Sequence, residues 1–366
     1  MVVTILSLLV FLPSLLVYFY APTNFFWKVK LVVSELGHFL VWIPVILLTY
    51  SGNIVLVLVN VVSIILLSFP LVSSLFISKK LKNELEYAFP GLEPAFLAEP
   101  FNPFFALIPS TQARVKTEKI LYSDHNLSMD FYANNTGVQP LLVEIHGGAW
   151  SSGDNTMFIS SNRYIASHGF KVASVTYRLA PEHLFPAQIS DIVSAIDLLI
   201  EQAEKLGIDK DNVFLLGRSA GGQIALKTAF QLTNEKIKGV VAIYTPADLI
   251  WGYSFPGNPL ILDSRKVLQD YLGGTSESAR ENYFAASPVE WVNENTPPVL
   301  MIHGQGDEMV AYEHNHRLMI QLRKYGIPHH LVSVAWGTHG FDYFSFSPGG
   351  QITNFAITWF LKRFSS

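Results

Sequence analysis

The sequence predicts an α/β fold, with a mostly parallel central sheet and helices on both faces, behind a helical N-terminal region apolar enough for a membrane. From Ala113 onward, short runs rich in Val, Ile and Leu alternate with helical patterns, which is how buried parallel strands and their crossover helices read. One such run, Val213-Phe214-Leu215-Leu216, leads into Gly217-Arg218-Ser219-Ala220-Gly221-Gly222 and then an amphipathic stretch. That is a strand, a tight turn and a helix. Ahead of Lys79, by contrast, the only charged side chains are Lys28, Lys30 and Glu35.

A chain of 366 residues suffices for one large α/β domain plus something extra. Half of the residues are apolar and only 15% are charged, the imbalance being concentrated before Lys79. A net charge of −4 and the lack of a basic patch interleaved with aromatics give no argument for nucleic acid. With no cysteine, disulfides, thiolate metal sites and a cysteine nucleophile are excluded. Neither a metal nor a cofactor is expected.

Three uncharged or nearly uncharged runs mark the N-terminal region: Val3 to Tyr20 with Pro13 inside, Leu36 to Tyr50 with Pro44, and Ile54 to Ser78 with Asn60 and Pro70. About 20 apolar residues cross a bilayer as a helix, so the third qualifies clearly and the first is borderline. The second reaches that length only by taking in Val32 to Gly37, which brings Glu35 and His38 to the interface as a pair at a span end. Two or three spans are expected, three being favoured, with Ser51-Gly52-Asn53 as a turn between the last two. Lys28 and Lys30 follow the first run and Lys79, Lys80 and Lys82 the third, so a three-span arrangement puts both clusters and the following domain on the cytoplasmic side. The rival, a cleaved signal peptide over residues 1–20, lacks a basic start and a small-x-small cleavage site. Two N-x-S/T tripeptides, Asn126-Leu127-Ser128 and Asn134-Asn135-Thr136, would favour a luminal face if glycosylated. They do not outweigh the lysines.

The expected organisation is a membrane region over 1–80, a connector over 81–112 that packs over the catalytic domain and is a candidate part of a lid, and a catalytic domain over 113–366. Strands are expected at Lys119–Tyr122, Leu141–Ile145, Lys171–Tyr177, Val213–Leu216, Val240–Tyr244, Val299–Ile302 and Leu331–Val334. Helices are expected near Ser160–Ser167, Ile189–Leu206, Gln223–Leu232, His314–Tyr325 and Ile352–Phe364.

The chemistry gathers at strand ends. A serine on a strand-to-helix turn needs small neighbours two residues away on each side, which Gly217 and Gly221 provide for Ser219; such a turn thrusts the hydroxyl out at the sheet edge. Leu141–Ile145 ends in His146-Gly147-Gly148-Ala149-Trp150, whose successive glycines let backbone N–H groups converge as an oxyanion hole, with the Ala220 N–H as a further donor. His146 is expected to brace that loop. Val299–Ile302 runs into His303-Gly304-Gln305-Gly306-Asp307, a carboxylate placed to orient a histidine. Leu331–Val334 runs into Trp336-Gly337-Thr338-His339-Gly340-Phe341, and His339 on its glycine-flanked loop can shuttle the serine proton. The order Ser219, Asp307, His339 is that of α/β-hydrolases. Glu308, His303, Asp342, His329 and His330 are the alternatives, each ranked below the named residue.

A further run, Tyr177-Arg178-Leu179-Ala180-Pro181-Glu182-His183-Leu184-Phe185-Pro186-Ala187-Gln188, followed by Asp191, makes a resemblance specific. Together with His-Gly-Gly, Gly-x-Ser-Ala-Gly-Gly and Thr-His-Gly-Phe, it resembles the hormone-sensitive-lipase group of α/β-hydrolases over roughly residues 115 to 365. The resemblance implies a carboxylic ester hydrolase with a Ser219–Asp307–His339 triad and an oxyanion hole from the N–H groups of Gly147, Gly148 and Ala220. It also implies a structural part for Glu182, His183 and Asp191, tying their loop to the core. The sequence departs from the group in having Ala149 for a third glycine, Arg218 before the nucleophile, where a cation can stabilise a nearby carboxylate, structural in preference to substrate-borne, and apolar segments in place of a soluble cap. An apolar anchor with His-Gly-Gly-Ala-Trp is also similar to the prenylcysteine methylesterases.

The long segment Ala247 to Ser287 opens on an aromatic cluster in a loop. Trp251, Tyr253 and Phe255 from it, with Ala149, Trp150 and Arg218, are the candidate substrate-pocket residues, and Phe101, Phe104 and Phe105 are candidates for an apolar lid. The leading expectation is a membrane-anchored serine esterase or lipase that acts through an acyl-enzyme on a small-molecule or lipid ester, with the bilayer as partner. An amidase or peptidase on the same triad is the second expectation. A non-catalytic binding module is the third, and an intact triad speaks against it.

Overall fold

A computed structural model describes residues 1–91, 99–107, 115–123, 125–134, 137–232 and 237–365. Among the described residues, eight strands form one sheet: β1 (Lys116–Leu121), β2 (Ser128–Ala133), β3 (Gln139–Ile145), β4 (Lys171–Val175), β5 (Ile208–Arg218), β6 (Ile237–Ile243), β7 (Val299–Gly304) and β8 (His329–Val334). Their spatial order is β1-β2-β4-β3-β5-β6-β7-β8. The β1–β2 and β2–β4 pairs are antiparallel and the other five are parallel.

The Leu141–Val143 part of β3, the Val213–Leu216 part of β5, and most of β6 and β7 are apolar because helices cover both faces. Val143 and Leu215 point into one core layer, while Leu142, Phe214 and Leu216 point into the other. The strand β2 is the element the sequence did not suggest. Its Met129 and Phe131 pack in one layer and Tyr132 in the other, but Ser128 and Asp130 dilute the apolar signal of a six-residue run. In the segment 247–287 the expected loop contains the helix Leu249–Ser254, where the Asp248 carboxylate accepts from the Trp251 N–H at the N-cap.

The N-terminal region consists of α1 (Val2–Ser14), α2 (Asn24–Glu35), α3 (Gly37–Leu40), α4 (Trp42–Leu48) and α5 (Ile54–Ala88). Among the described residues α5 alone is long and apolar enough to cross a membrane as a single helix, by length and composition. The second apolar run meets that test only when α2 is joined to α3 and α4 across a bend of 73°. The first run is shorter, Val2–Val17. Asn60 in α5 donates to Ser7 Oγ (3.0 Å) and Ser51 Oγ (3.2 Å), a buried polar clasp inside an otherwise apolar bundle. Beyond Ser78, α5 joins the domain core through Leu81 and Leu85, with Phe89 packing on Phe360. Of the connector 81–112, residues 92–98 and 108–112 lie outside the described residues, as do Ala113 and the Asn135-Thr136 part of the second glycosylation tripeptide.

Arg218 is 1% exposed. Its guanidinium reaches Asp342 at 2.7 Å and Glu144 at 3.2 Å. Ser174 donates to the same Glu144, and Tyr244 to the same Asp342. A buried cation and two carboxylates hold their place only as a set, because any member left alone keeps its full desolvation cost. Arg218 thereby ties β3 and β5 to the loop that follows His339. The Arg218→Met variant is expected to lower the unfolding free energy by about 3–5 kcal/mol, read by denaturant or thermal unfolding in detergent. A variant as stable as the parent would refute this account of the triad of charges.

Candidate active site

Ser219 sits between the end of β5 and the helix Ala220–Gln231 at φ 54°, ψ −121°. That backbone conformation is costly for a residue with a side chain and persists because its surroundings enforce it. The Ser219 N–H is held by the Ile243 carbonyl at 2.9 Å. A Cβ on Gly217 would lie 2.0 Å from the Gly221 oxygen, and one on Gly221 would lie 2.1 Å from the Ile145 oxygen. Only hydrogens fit at either flank.

Three strand ends converge on this serine. His339 Nε2 lies 2.9 Å from Ser219 Oγ, and His339 Nδ1 lies 2.7 Å from Asp307 Oδ2. The other Asp307 oxygen accepts from the N–H groups of Met309 (2.8 Å) and Val310 (2.9 Å). Burial acts to raise the Asp307 pKa, but the adjacent His339 and the hydrogen bonds from His303 and His339 outweigh it and hold the carboxyl well below its usual range. Such a carboxylate stays ionised and fixes the imidazole with Nε2 turned to the serine.

The loop after β3 approaches from the other side. A Cβ placed on Gly147 would be 3.4 Å from the Ser219 Cβ. Gly148, Ala149 and Trp150 all have positive φ (120°, 54° and 57°), an unusual conformation for the last two. Among the described residues, neither the Gly147 nor the Gly148 N–H meets a protein acceptor in a turn or loop. The Ala220 N–H is one of the unpaired donors that open a helix. His146 lies behind them, its Nδ1 2.7 Å from the Gly147 oxygen and its ring stacked on Tyr177 at 4.3 Å. Burial pushes its imidazole down to about 4, so it braces the loop as a neutral ring.

Among the alternatives, His303 is placed against Asp307. Asn315 donates to its Nδ1 at 2.7 Å, which leaves Nε2–H for Val310 O (3.1 Å) and Asp307 (3.2 Å). Asp342 is taken by Arg218, His329 contacts the Ile327 carbonyl, and His330 faces Glu84. In the loop after β4, Asp191 binds Arg178, and the Gln188 amide donates to the His183 carbonyl. Glu182 departs from the expected structural part, since it is exposed.

One group escaped the sequence reading, and a second, Glu308, has a role other than that of an alternative acid. The Tyr244 ring lies 4.5 Å from that of His339, with its hydroxyl on Asp342; an aromatic residue directly after β6 was the available signal. Glu308 Oε1 takes Lys30 Nζ at 2.6 Å and the Ala21 N–H at 2.9 Å, while its Oε2 takes Thr338 Oγ1 at 2.7 Å. The neighbours of Asp307 and His339 are therefore joined to each other and to α2. Glu35, at the other end of α2, accepts from Trp336 Nε1 (2.8 Å), Ser347 Oγ (2.6 Å) and the Gly349 N–H (3.0 Å). The expected interfacial pairing of Glu35 with His38 is thus replaced, and His38 contacts the Ala106 carbonyl at 3.0 Å.

A cleft opens over Ser219, lined among others by Ala149, Trp150, Leu249, Phe255, Met309 and His314. The Trp150 indole is fixed by Gln223 at 2.9 Å and by stacking on Tyr271. Three expected pocket residues do not line it. Arg218 is committed to its carboxylates, Trp251 stacks on Phe255 from outside, and the Tyr253 hydroxyl binds Gln269. Nor do the expected lid residues: Phe101 is buried in the core beside α5, while Phe104 and Phe105 lie on the helix Pro103–Leu107 away from the cleft.

The sheet order, the strained serine turn and the strand-end relay define an α/β-hydrolase. The solved esterase of Pyrobaculum calidifontis matches with a TM-score of 0.60 over 80% of this chain and 97% of that one, at 23% identity. A family model described as BD-FAE matches residues 129–322, more than half of the sequence, and the chain belongs to that family. Curated relatives include the esterase LipC of Mycobacterium tuberculosis, 27% identical over 271 residues covering 68% of this chain and 65% of that protein. Another is the isoprenylcysteine alpha-carbonyl methylesterase ICME of Arabidopsis thaliana, 23% identical over 265 residues covering 68% and 60%. The chain thus spans less than two thirds of the length of these curated relatives.

Two outcomes are expected. The Lys30→Met variant leaves Glu308 buried without its cation and is expected to lose about 3–5 kcal/mol of stability, most of it regained on adding Glu308→Gln; thermal unfolding of the two variants measures this. His146, near 4 folded against 6.5 unfolded, contributes stability that is full above pH 6.5 and lost as the pH falls towards 4. The stability of the parent relative to His146→Gln is accordingly expected to decline over that window, whereas a pH-independent difference would contradict a neutral His146.

Proposed function

We propose that this protein is a membrane-anchored serine hydrolase that cleaves carboxylic esters through an acyl-enzyme. The relay Ser219–His339–Asp307 at the floor of an apolar cleft carries the reading, and the names of the esterase relatives support it. Ser219 Oγ attacks the ester carbonyl while His339 Nε2 takes its proton, with Asp307 stabilising the imidazolium. The carbonyl oxygen becomes an oxyanion held by the N–H groups of Gly147, Gly148 and Ala220. Collapse breaks the C–O bond, and His339 returns the proton to the departing alcohol. A water activated by His339 then releases the acid from Ser219 and restores the enzyme.

The membrane part of the proposal rests on α5 and on the apolar surface around it. In this reading α1, the α3–α4 pair and α5 form the bundle, within the domain arrangement 1–80, 81–112 and 113–366. Lys79, Lys80 and Lys82 at the end of the apolar stretch of α5 favour the cytoplasmic face for the catalytic domain. Lys30 drops out of that argument because Glu308 binds it. A second reading, a methylesterase acting on prenylated cysteine, is favoured by the Arabidopsis relative and by the apolar N-terminal region.

Ser219→Ala is expected to reduce p-nitrophenyl ester turnover by a factor on the order of 10⁴–10⁶, and a fluorophosphonate probe is expected to modify Ser219. Modification of another residue, or turnover that survives the substitution, would sink the mechanism. Comparing methyl esters of prenylated cysteine with acyl esters and anilides of equal chain length separates the second reading and an amidase.

A further inference from the structure

Helix α2 has its polarity reversed. Lys30, Ser34 and Glu35 are buried against the domain, while Phe25, Phe26 and Val32 face outward. A helix at a water boundary does the opposite. The segment leading into it exposes Phe19 and Tyr20, so its outer side is aromatic and aliphatic, with Lys28 as the one charge among residues 18–27 and the outward face of α2.

This segment is bolted to the edge of the cleft. The Asn24 N–H donates to Leu260 O at 3.0 Å, Asn24 Nδ2 to Ile261 O at 3.1 Å, and Asn258 Nδ2 to Pro22 O at 3.0 Å. Phe255, Gly257 and Leu262 of the same loop line the cleft. Phe255 and Leu260 are 63% and 67% exposed.

The height of that edge can be read against α5. Val17 and Val33, on either side of the segment, pack on Leu67. The outward apolar side chains of α5 continue past Leu67 to Phe76, nine residues and about 13 Å further at 1.5 Å per residue. Helices α3 and α4 return along α5 as a hairpin, with Gly37 against Leu67 at one end and Ser51 bonded to Asn60 at the other. The 73° bend then lays α2 across that axis, along the plane of a membrane that α5 crosses.

Resting on the esterase reading above, we infer that the cleft opens sideways into the lipid bilayer, through a mouth ringed by Phe19, Tyr20, Phe25, Phe26, Phe255 and Leu260. Its substrate class is an ester carrying a long apolar chain dissolved in that bilayer. Aromatic side chains settle at the boundary between headgroups and hydrocarbon. Lys28 reaches the phosphates along its flexible stem, and Asp263, Arg265 and Lys266, exposed just beyond Leu262, mark the headgroup level.

The chain contains no cysteine, so single labels can be placed without background. The full chain, with Phe25→Cys or Leu260→Cys carrying an environment-sensitive fluorophore, is reconstituted in phosphatidylcholine vesicles containing nitroxide-labelled lipid. Both rim labels are expected to be quenched several-fold more by the lipid nitroxide than a label at Glu201→Cys on the exposed end of a domain helix. Rim labels quenched by aqueous iodide and untouched by lipid nitroxide would overturn the inference, and a rim covered by a protein partner or by a second copy would overturn it by escaping both quenchers. In a second measurement, Phe25→Asp is expected to slow hydrolysis of a long-chain ester delivered in vesicles at least about tenfold while leaving p-nitrophenyl acetate turnover unchanged. An equal effect on both esters, or on neither, contradicts bilayer entry. Absence of all ester turnover in the parent chain would refute the esterase reading alone, since the quenching data stand without activity.

Discussion

Glu308 accepts from three directions within a space closed to water: the Lys30 ammonium, the Ala21 N–H and the Thr338 hydroxyl. A carboxylate there is tolerated only because all of these partners are present at once. The partners come from two distant parts of the chain. Ala21 and Lys30 come from the apolar N-terminal region, Glu308 follows Asp307, and Thr338 precedes His339. The spacing of acid and base is consequently set by a bond network that the domain cannot complete from its own residues. The apolar region is thus part of the site's scaffold.

The serine is held by a different device. Arg218, one residue before it, is fixed by Glu144 at the end of β3 and Asp342 in the loop beyond His339. Backbone strain at Ser219 is sustained from behind by this ionic set and from the flanks by close contacts that only glycine allows. Tyr244 joins the two devices, with its hydroxyl on Asp342 and its ring against His339. Interior charge therefore does for geometry here what loop sequences by themselves cannot do.

The parts of this arrangement that were legible in the sequence are those written locally. Strand, glycine, serine, glycine and helix occupy consecutive residues, and Asp307 and His339 each follow a recognisable apolar strand. The parallel order needed only the periodicity of Val, Ile and Leu. The strand β2 was missed because its pairing with β1 and β4, more than its six residues, makes it a strand. The pairings of Lys30 with Glu308 and of Glu35 with Trp336, Ser347 and Gly349 were missed for a related reason. Their partners lie about 280 to 310 positions away, and nothing near Lys30 in the sequence separates a lysine that orients a membrane segment from one that binds a buried carboxylate. Arg218, also a pocket candidate, takes the structural carboxylate partners favoured for it, whereas Trp251 and Tyr253 were assigned to the pocket on proximity in sequence, yet adjacent side chains on a short helix point in different directions.

The inside-out face of α2 has a consequence for how the molecule is made. Lys30 is synthesised 278 residues before Glu308, an interval of roughly 14–56 s at about 5–20 residues per second. Throughout that time α2 carries an ammonium and a carboxylate whose partners do not yet exist, on the face that ends up dry. The nascent apolar region must keep those two groups wet until β7, β8 and the helix Pro348–Phe364 arrive to enclose them. Biogenesis thus closes from the C-terminal end backwards, and a ribosome that stops before residue 349 leaves the N-terminal region with its charged seam still open.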